Sequence, residues 1–143
     1  MSIAAVLLAA GRGSRLGGNT PKALVSLGNQ ALLSRTLAEY LASSLDYVVV
    51  VLGYGAEQVE PILPSHPRLR AVRSPEWEKG MSASIRAGME ALDPDTESVL
   101  IGLGDMPWVP SAILDQVRDA ARGRERIVAP YFRGGRGHPV SFP

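Results

Sequence analysis

The stretch LAAGRGSRLGG (residues 8–18) decides the fold class, because it follows an apolar run over residues 3–7 and precedes Pro21 and Lys22. An unbroken apolar run predicts a strand that is buried on both faces of a parallel sheet. The glycines after it predict a loop whose backbone N–H groups can approach a phosphate chain, and Arg15 and Lys22 add positive charge. The stretch therefore favours a nucleoside triphosphate as the ligand.

The spacing of these glycines matches neither of the two commoner phosphate-binding loops. A dinucleotide-binding loop requires G-x-G-x-x-G and an acidic residue at the end of the second strand, but the third glycine here comes one position late, at Gly17, and residues 51–54 contain no acid. A Walker A loop requires a lysine followed by serine or threonine, but Lys22 is followed by Ala23. The pattern supports neither a nicotinamide cofactor nor a P-loop.

The composition limits the remaining classes of function. The chain has 143 residues, a formal net charge of +1 and no cysteine. This length suits one domain with a real core, and the near-neutral charge gives no reason to expect a nucleic-acid or membrane partner. Without cysteine there are no disulfides, thiolate metal sites or cysteine nucleophiles. No apolar run is long enough to span a bilayer, and the apolar N-terminus lacks a cationic leader. We expect a cytoplasmic α/β protein.

Strand and helix patterns alternate along the chain. Apolar, β-branched runs predict strands over residues 3–9, 47–52, 69–72 and 98–103, with a last strand beginning at residues 127–129. Helical spacing predicts helices from the turn at residues 28–29 through Leu41, from Ala56 to near Pro61, over residues 80–92 and over residues 111–121. The third of these helices is expected to bury Met81, Ile85, Met89 and Leu92. The alternation predicts a Rossmann-like, three-layer αβα fold with a mostly parallel sheet.

In such sheets ligands bind at the carboxyl ends of the strands, where both the glycine loop and Asp105 are expected. Asp105 is a candidate Mg²⁺ ligand, because Mg²⁺ prefers oxygen and often takes only one or two protein carboxylates besides phosphates. In isolation it would be a turn residue before Pro107. Arg15 is expected to hold the β- and γ-phosphates and Lys22 the α-phosphate, although isolated cations are usually solvated surface residues.

Four further residues each have a structural and a functional interpretation. Ser82 and Ser84 lie at the start of the helix predicted over residues 80–92, where either could cap the helix and Ser84 could contact the base or the ribose. Trp77 is either a core residue or a lid over the nucleotide. His138 is a candidate second metal ligand or acceptor-side residue, although a histidine in a glycine-rich turn is more often structural or exposed.

Four ordered motifs together resemble the MobA-like nucleotidyltransferases, and within them the molybdenum cofactor cytidylyltransferases. The motifs are LAAGxGxRxG with Pro21-Lys22, GMSASIRAG at residues 80–88, GDMP at 104–107 and RGHPV at 136–140. The resemblance implies a fold like that of nucleotide-diphospho-sugar transferases. It also implies catalytic roles for Arg15, Lys22 and Asp105, with Mg²⁺ at Asp105, and a nucleotide-binding set of Ala9, Ala10, Gly11, Gly13, Arg15, Lys22, Gly80, Ser82 and Ser84.

The reaction implied by the resemblance is transfer of CMP from CTP to the terminal phosphate of molybdopterin carrying molybdenum, with release of pyrophosphate. Ala10 favours cytidine, because guanylyl-transferring relatives typically have Leu-Ala-Gly-Gly at this point. Further partners would be molybdoenzymes or their chaperones. Two departures from the family pattern look tolerable: Leu16 stands where methionine is common, and Ser82-Ala83-Ser84 where three serines are usual.

The resemblance runs from residue 3 to the last residues and implies one nucleotidyltransferase-like domain over residues 1–143. The family normally continues through a further helix and acceptor-contacting segments, so we expect this chain to lack them. Two alternatives stay open. One is a related nucleotidyltransferase that uses another nucleotide or acceptor, such as a sugar phosphate. The other is a catalytically silent nucleotide- or cofactor-binding protein.

Overall fold

The computed structural model describes residues 2–11, 20–123, 125–132 and 135–143. Gly13 and Arg15, which the sequence assigns to phosphate binding, lie outside these ranges. The strands are β1 (Ser2–Ala9), β2 (Ser26–Leu27), β3 (Gln30–Ala31), β4 (Tyr47–Leu52), β5 (Leu69–Arg73), β6 (Thr96–Leu103), β7 (Tyr131–Phe132), β8 (Gly135–Arg136) and β9 (Val140–Phe142). The helices are α1 (Leu32–Ala42), α2 (Ala56–Val59), α3 (Met81–Glu90) and α4 (Ser111–Ala121). Within the described ranges, no helix is long and apolar enough to cross a membrane.

The main sheet has five strands in the order β5-β4-β1-β6-β9. The first four are parallel, and β9 is antiparallel to β6. From β1 the chain adds β4 and then β5 on one side, and then crosses to add β6 on the other. The point at which the strand order reverses therefore lies between β1 and β6. In open α/β sheets, ligands bind in the crevice outside the carboxyl ends of the strands at such a point.

Helices cover both faces of this sheet. On one face, alternate residues of β1 and β4 pack with buried side chains of α1, α2 and α4, for example Leu37, Val59 and Leu114. On the other face, the intervening residues of β1 and β4 pack with α3 through partly buried residues such as Ile85. The observed architecture is the three-layer αβα fold with a mostly parallel sheet that the sequence predicts.

The orientation of α3 differs from the prediction in two of four residues. Ile85 and Leu92 are partly buried against the sheet, as expected. However, Met81 is 58% exposed and Met89 is 42% exposed. The buried positions of this helix are instead Ser84 and Gly88.

The reason for the different orientation is the small size of Gly88. A Cβ atom at this position would lie 2.4 Å from Cγ1 of Val6 in β1 and 3.0 Å from Cγ2 of Val51 in β4. The helix backbone therefore approaches the sheet more closely than a helix that packs through methionine side chains could. Apolar spacing alone does not reveal this approach, because glycine adds nothing to a hydrophobic pattern.

The strand predicted to begin at residues 127–129 is also wrong. Ile127 is exposed, and within the described residues the segment makes only an isolated bridge, between Val128 and Ser141 of β9. The Val128 N–H donates to the Ser141 carbonyl at 3.0 Å, and the Ser141 N–H donates to the Val128 carbonyl at 2.7 Å. Pro130 has no N–H to continue the ladder, which explains why the pairing stops.

Candidate active site

A cavity of about 610 Å³ opens at the carboxyl ends of β1 and β6, where the strand order reverses. Its lining consists mostly of alanine, glycine and leucine, together with an ion pair, an aromatic ring, a methionine and a serine. The lining residues are Leu8, Ala9, Ala10, Gly11, Lys22, Ala23, Trp77, Gly80, Met81, Ser84, Leu103, Gly104 and Asp105. Small side chains leave the volume free, so the cavity has room for a ligand of nucleotide size.

Lys22 and Asp105, which are 83 residues apart, meet in this cavity. The Lys22 ammonium donates to Oδ2 of Asp105 at 2.5 Å, and the two side chains are 41% and 35% exposed. An ion pair with this exposure contributes about 1 kcal/mol or less, because solvent screens it. The pair is therefore easily exchanged for other charged partners.

Asp105 owes its position to the residue before it. The Gly104 N–H donates to the Leu8 carbonyl at 2.8 Å, which ties the end of β6 to β1. From α1, the buried Thr36 hydroxyl donates to the Gly104 carbonyl at 2.7 Å. Asp105 therefore follows a residue whose backbone N–H and carbonyl are both hydrogen-bonded. Helical spacing places Thr36 on the core-facing side of α1, but nothing in the sequence signals this contact.

Lys22 begins a short 3-10 turn, Lys22–Leu24, directly after Pro21. Gly55 faces Pro21 so closely that a Cβ atom at position 55 would lie 2.3 Å from Cγ of the proline. Gly55 also has a φ of +67°, which favours glycine. The turn that carries Lys22 is therefore fixed against the segment that follows β4.

The end of β1 supplies the floor of the cavity. Ala9 is half-buried, Ala10 is buried and Gly11 is exposed, and all three line the cavity. The Ala10 carbonyl accepts a hydrogen bond from the Tyr54 N–H at 3.1 Å. Among the described residues, none would lie within 4 Å of a Cβ atom at Gly11, so no described side chain separates this position from the cavity.

The start of α3 brings two of its three predicted residues to the cavity. Gly80, at the N-cap position with a φ of 106°, and the buried Ser84 both line it. Ser82 is exposed and is not among the lining residues. No side chain of the described residues caps this helix, so the expectation that Ser82 or Ser84 acts as a cap is wrong. The helix start is the glycine itself, which leaves the first N–H groups of α3 without a capping oxygen from its own serines.

Trp77 and His138 are placed differently. Trp77 lines the cavity and is half-buried, whereas His138 is half-buried just before β9 and is not among the lining residues. In the described part of the chain, no group of three or more His, Asp or Glu side chains could hold a metal ion. One carboxylate beside a nucleotide-sized cavity still fits Mg²⁺, which takes its other ligands from phosphates and water. Asp105 meets this requirement, and the metal role of His138 stays a prediction.

Comparison with known proteins agrees with this arrangement of strands and cavity. The family model described as the MobA-like NTP transferase domain matches residues 5–143. The chain belongs to this family. Its sheet, its carboxyl-edge cavity and the motif residues in that cavity can accordingly be compared with relatives of known name.

Two curated relatives illustrate the breadth of the match. The 2-C-methyl-D-erythritol 4-phosphate cytidylyltransferase of Streptomyces coelicolor is 38% identical over an alignment of 132 residues, and the match covers 89% of this chain and 48% of the relative. The bifunctional protein GlmU of Burkholderia mallei is 35% identical over 116 residues, which are 81% of this chain and 25% of the relative. The chain thus spans half or less of the length of these relatives.

A similar solved structure is that of Rv0371c from Mycobacterium tuberculosis. It has a TM-score of 0.84 and 30% identity to this chain, and the match covers 99% of this chain and 70% of Rv0371c. A second structure of Rv0371c is a complex with manganese, with a TM-score of 0.78 and 26% identity over 99% of this chain and 71% of Rv0371c. A divalent cation has therefore been observed with a protein of the same fold.

Proposed function

We propose that this chain forms the nucleotide-binding and transfer site of a nucleotidyltransferase that transfers CMP from CTP to a phosphate-bearing acceptor. The observation that carries the proposal is the contact of Lys22 with Asp105 in a nucleotide-sized cavity at the strand-order reversal. Family membership supports the reaction class. The organisation of residues 1–143 as one nucleotidyltransferase-like domain is part of the same proposal.

In the proposed reaction, a phosphate oxygen of the acceptor attacks the α-phosphorus of the nucleoside triphosphate. A new P–O bond forms, and the bond from the α-phosphorus to the oxygen that bridges to the β-phosphate breaks. Pyrophosphate leaves with that electron pair. Negative charge changes most on the α-phosphate oxygens and on the leaving pyrophosphate, so fixed positive charge beside them lowers the barrier.

Lys22 is the described cation that supplies this charge. Its ammonium has three donors, and the contact with Oδ2 of Asp105 engages one of them. Asp105 would hold Mg²⁺, which when bound adds positive charge to the phosphate oxygens. The weakness of the Lys22–Asp105 pair then permits Lys22 to turn to a phosphate. Arg15 keeps its predicted role on the β- and γ-phosphates, although it lies outside the described residues.

Two observations support cytidine as the base. Ala10, which lines the cavity, is the residue at which the sequence resembles cytidylyl-transferring proteins, and one relative at 38% identity is named as a cytidylyltransferase. For the acceptor, the sequence resemblance implies molybdopterin carrying molybdenum. The name of the Streptomyces relative adds 2-C-methyl-D-erythritol 4-phosphate as a second phosphate-bearing candidate.

The test is a pyrophosphate-release assay with CTP, UTP, GTP and ATP, each with the two acceptors and with Mg²⁺ or Mn²⁺. We expect CTP to be preferred, release to require both acceptor and metal, and the Asp105→Ala variant to be inactive. A preference for UTP or GTP would contradict the cytidylyl assignment but not the reaction class. Tight CTP binding with no pyrophosphate release under any of these conditions would contradict transfer and leave a binding protein.

A further inference from the structure

We infer that Trp77 is a fixed wall of the nucleotide site that contacts the base of the bound nucleotide. This inference rests on the proposed function, because it assigns a residue to the base of the same ligand. The sequence leaves Trp77 as either core or lid, and the described contacts favour a third arrangement.

Trp77 and Asp105 lie near the ends of two strands that flank β1. Trp77 lies against Gly53, which follows β4, since a Cβ atom at Gly53 would be 2.6 Å from the Trp77 Cβ. Asp105 follows β6, and β1 separates β4 from β6 in the sheet. Two strand spacings make this separation about 10 Å. With the phosphates at Lys22 and Asp105, a ribose bridges toward Trp77, and the base lies at the tryptophan end.

One aromatic contact and two backbone hydrogen bonds hold the segment around Trp77. Trp77 and Tyr54 form a tilted aromatic pair, with ring centroids 5.4 Å apart and an interplanar angle of 59°. Before Trp77, the Ser74 N–H donates to the Leu52 carbonyl at 2.7 Å, which ties this segment to the end of β4. After it, the Gly80 N–H donates to the Trp77 carbonyl at 3.2 Å. The two hydrogen bonds hold the backbone on both sides of Trp77, and the Tyr54 ring packs against the indole, which favours a wall over a lid that swings.

Gly53 also places Trp77 beside the floor of the cavity. The same Cβ position at Gly53 would be 2.8 Å from the Ala10 Cβ and 2.8 Å from the Ala10 carbonyl oxygen. Trp77 and Ala10 therefore both lie against Gly53. A base that reaches the backbone of Ala10 comes next to the indole. Any side chain at position 53 would force these two residues apart.

The surface that Trp77 offers to a ligand is the face of its indole ring. An indole ring offers an apolar face that every base can contact, and such contacts are worth about five- to hundred-fold in affinity when the aromatic residue is replaced by alanine. They discriminate poorly among bases, because every base has a π-face. Trp77 should therefore strengthen binding of CTP and UTP by the same factor, whereas selection between them lies with polar groups such as the Ala10 backbone and Ser84.

The chain contains a matched control for this inference, because its second tryptophan is elsewhere. Trp108 is 69% exposed and is not among the residues that line the cavity. The Trp108→Phe variant leaves Trp77 as the only indole fluorophore, and the Trp77→Phe variant leaves Trp108. Fluorescence therefore reports on each ring separately without an activity assay.

The experiment titrates the full chain with CTP and with UTP in the presence of Mg²⁺, by calorimetry and by tryptophan fluorescence. We expect the Trp108→Phe variant to bind CTP as the wild type does and to show a fluorescence change. In Trp77→Phe this change should disappear while affinity stays within about threefold. Trp77→Ala should lose about tenfold in affinity for both nucleotides, and Gly53→Ala should weaken binding by displacing the ring.

Two results would overturn the inference alone. One is a Trp77→Ala variant that is folded by circular dichroism and binds CTP as tightly as the wild type. The other is a Trp108→Phe variant that binds CTP without any fluorescence change, which also decides the matter if Trp77→Ala does not fold. A wild-type chain that binds neither CTP nor UTP would instead overturn the proposed function, and the inference with it.

Discussion

The central sheet has one ion pair near the amino-terminal ends of its strands and another near the carboxyl ends, and the two pairs differ in the number of contacts they make. We call these two ends of the sheet its amino-terminal edge and its carboxyl edge. At the amino-terminal edge, Arg70 makes a bidentate pair with Asp93, with N–O distances of 2.9 and 3.0 Å, and its guanidinium lies 4.1 Å from the centroid of the Tyr47 ring. At the carboxyl edge, Lys22 and Asp105 make one contact between Nζ and Oδ2. The side chains of both pairs are about equally exposed, at 41% and 45% for the first and 41% and 35% for the second.

The amino-terminal edge is further closed by the Tyr47 hydroxyl. It lies 2.6 Å from the Thr96 hydroxyl and accepts a hydrogen bond from the Asp93 N–H at 2.8 Å. The polar groups there satisfy one another. Within the described part of the chain, by contrast, the single contact between Lys22 and Asp105 leaves donors of Lys22 and acceptor positions of Asp105 for a ligand. The difference teaches that exposure alone does not mark a site. What matters is how much hydrogen-bonding capacity the protein itself has used.

The largest predicted effect is a loss of nucleotidyl transfer when the charged residues at the carboxyl edge are replaced. Asp105→Asn should lower kcat by about 100-fold or more, because it removes the carboxylate charge that would hold the metal. Lys22→Ala should lower kcat more than it raises KM, because its charge acts where the phosphorus is attacked. Steady-state kinetics with CTP measures both. The control is Asp93→Asn at the opposite edge, which should keep the wild-type rate, and equal losses at the two edges would contradict the comparison.

A second prediction concerns the support of the carboxyl edge and not its charges. Gly102 of β6 faces Tyr40, and a Cβ atom there would lie 1.9 Å from the tyrosine hydroxyl oxygen. Tyr40 is 2% exposed, so its ring has little free space into which it could shift, and the same burial raises the pKa of its phenol above the ordinary value. Gly102→Ala should therefore lower the free energy of unfolding by about 1–3 kcal/mol in urea titrations.

The double variant Gly102→Ala, Tyr40→Phe tests the cause of that loss. It removes the nearest clashing atom, so it should recover part of the stability. If the double variant is no more stable than Gly102→Ala alone, the hydroxyl contact is not the source of the strain.

A smaller effect is expected from Tyr47→Phe at the amino-terminal edge. This change leaves the Asp93 N–H and the Thr96 hydroxyl without their shared partner and should lower the free energy of unfolding by about 1 kcal/mol. Binding of CTP should not change, because the residue lies at the opposite edge of the sheet. Urea unfolding and calorimetric titration of the same sample measure the two quantities, and a weaker CTP affinity at unchanged stability would be the contrary result.

The smallest effect is a dependence of stability on pH. The hydrogen bonds from Arg70 hold the pKa of the Asp93 carboxyl below its usual range. The folded-state pKa is thus the lower one, so this stabilisation is present above the unfolded-state value of about 4 and is lost as the pH falls through the folded-state value. Urea midpoints of the wild type and Asp93→Asn should differ slightly at pH 6 and converge below about pH 4. A difference in urea midpoint that grows as the pH falls would contradict this prediction.

Sequence patterns predicted the fold most accurately where burial depends on apolar side chains. The uninterrupted apolar runs gave β1 and β4, and spacing gave α4 with Leu114, Val117 and Ala121 buried. The patterns were wrong where packing depends on small residues, as at Gly88 of α3. They were also wrong at residues 127–129, because Pro130 limits the pairing to one residue.

For the candidate site, the general rule for parallel sheets was sufficient to bring Lys22 and Asp105 to the same edge. It could not show the hydrogen bond from Thr36 to Gly104, because that contact depends on how α1 packs on β6, 68 residues later. The contact of Trp77 with Gly53 also depends on how two separate segments pack, so sequence patterns could not show it either. The roles of all these residues in binding or transfer remain predictions until they are measured.

The contact between Gly55 and Pro21 has a consequence for how this site can vary. A Cβ atom at position 55 would lie 2.3 Å from Cγ of Pro21, and the φ of +67° adds a second restriction on residue 55. Substitutions at position 55 should therefore be rejected while Pro21 is present. Some of them should become acceptable when residue 21 is smaller. In a library randomised at both positions, the residues accepted at position 55 should depend on the residue at position 21. Positions 21 and 55 should therefore vary together and not independently.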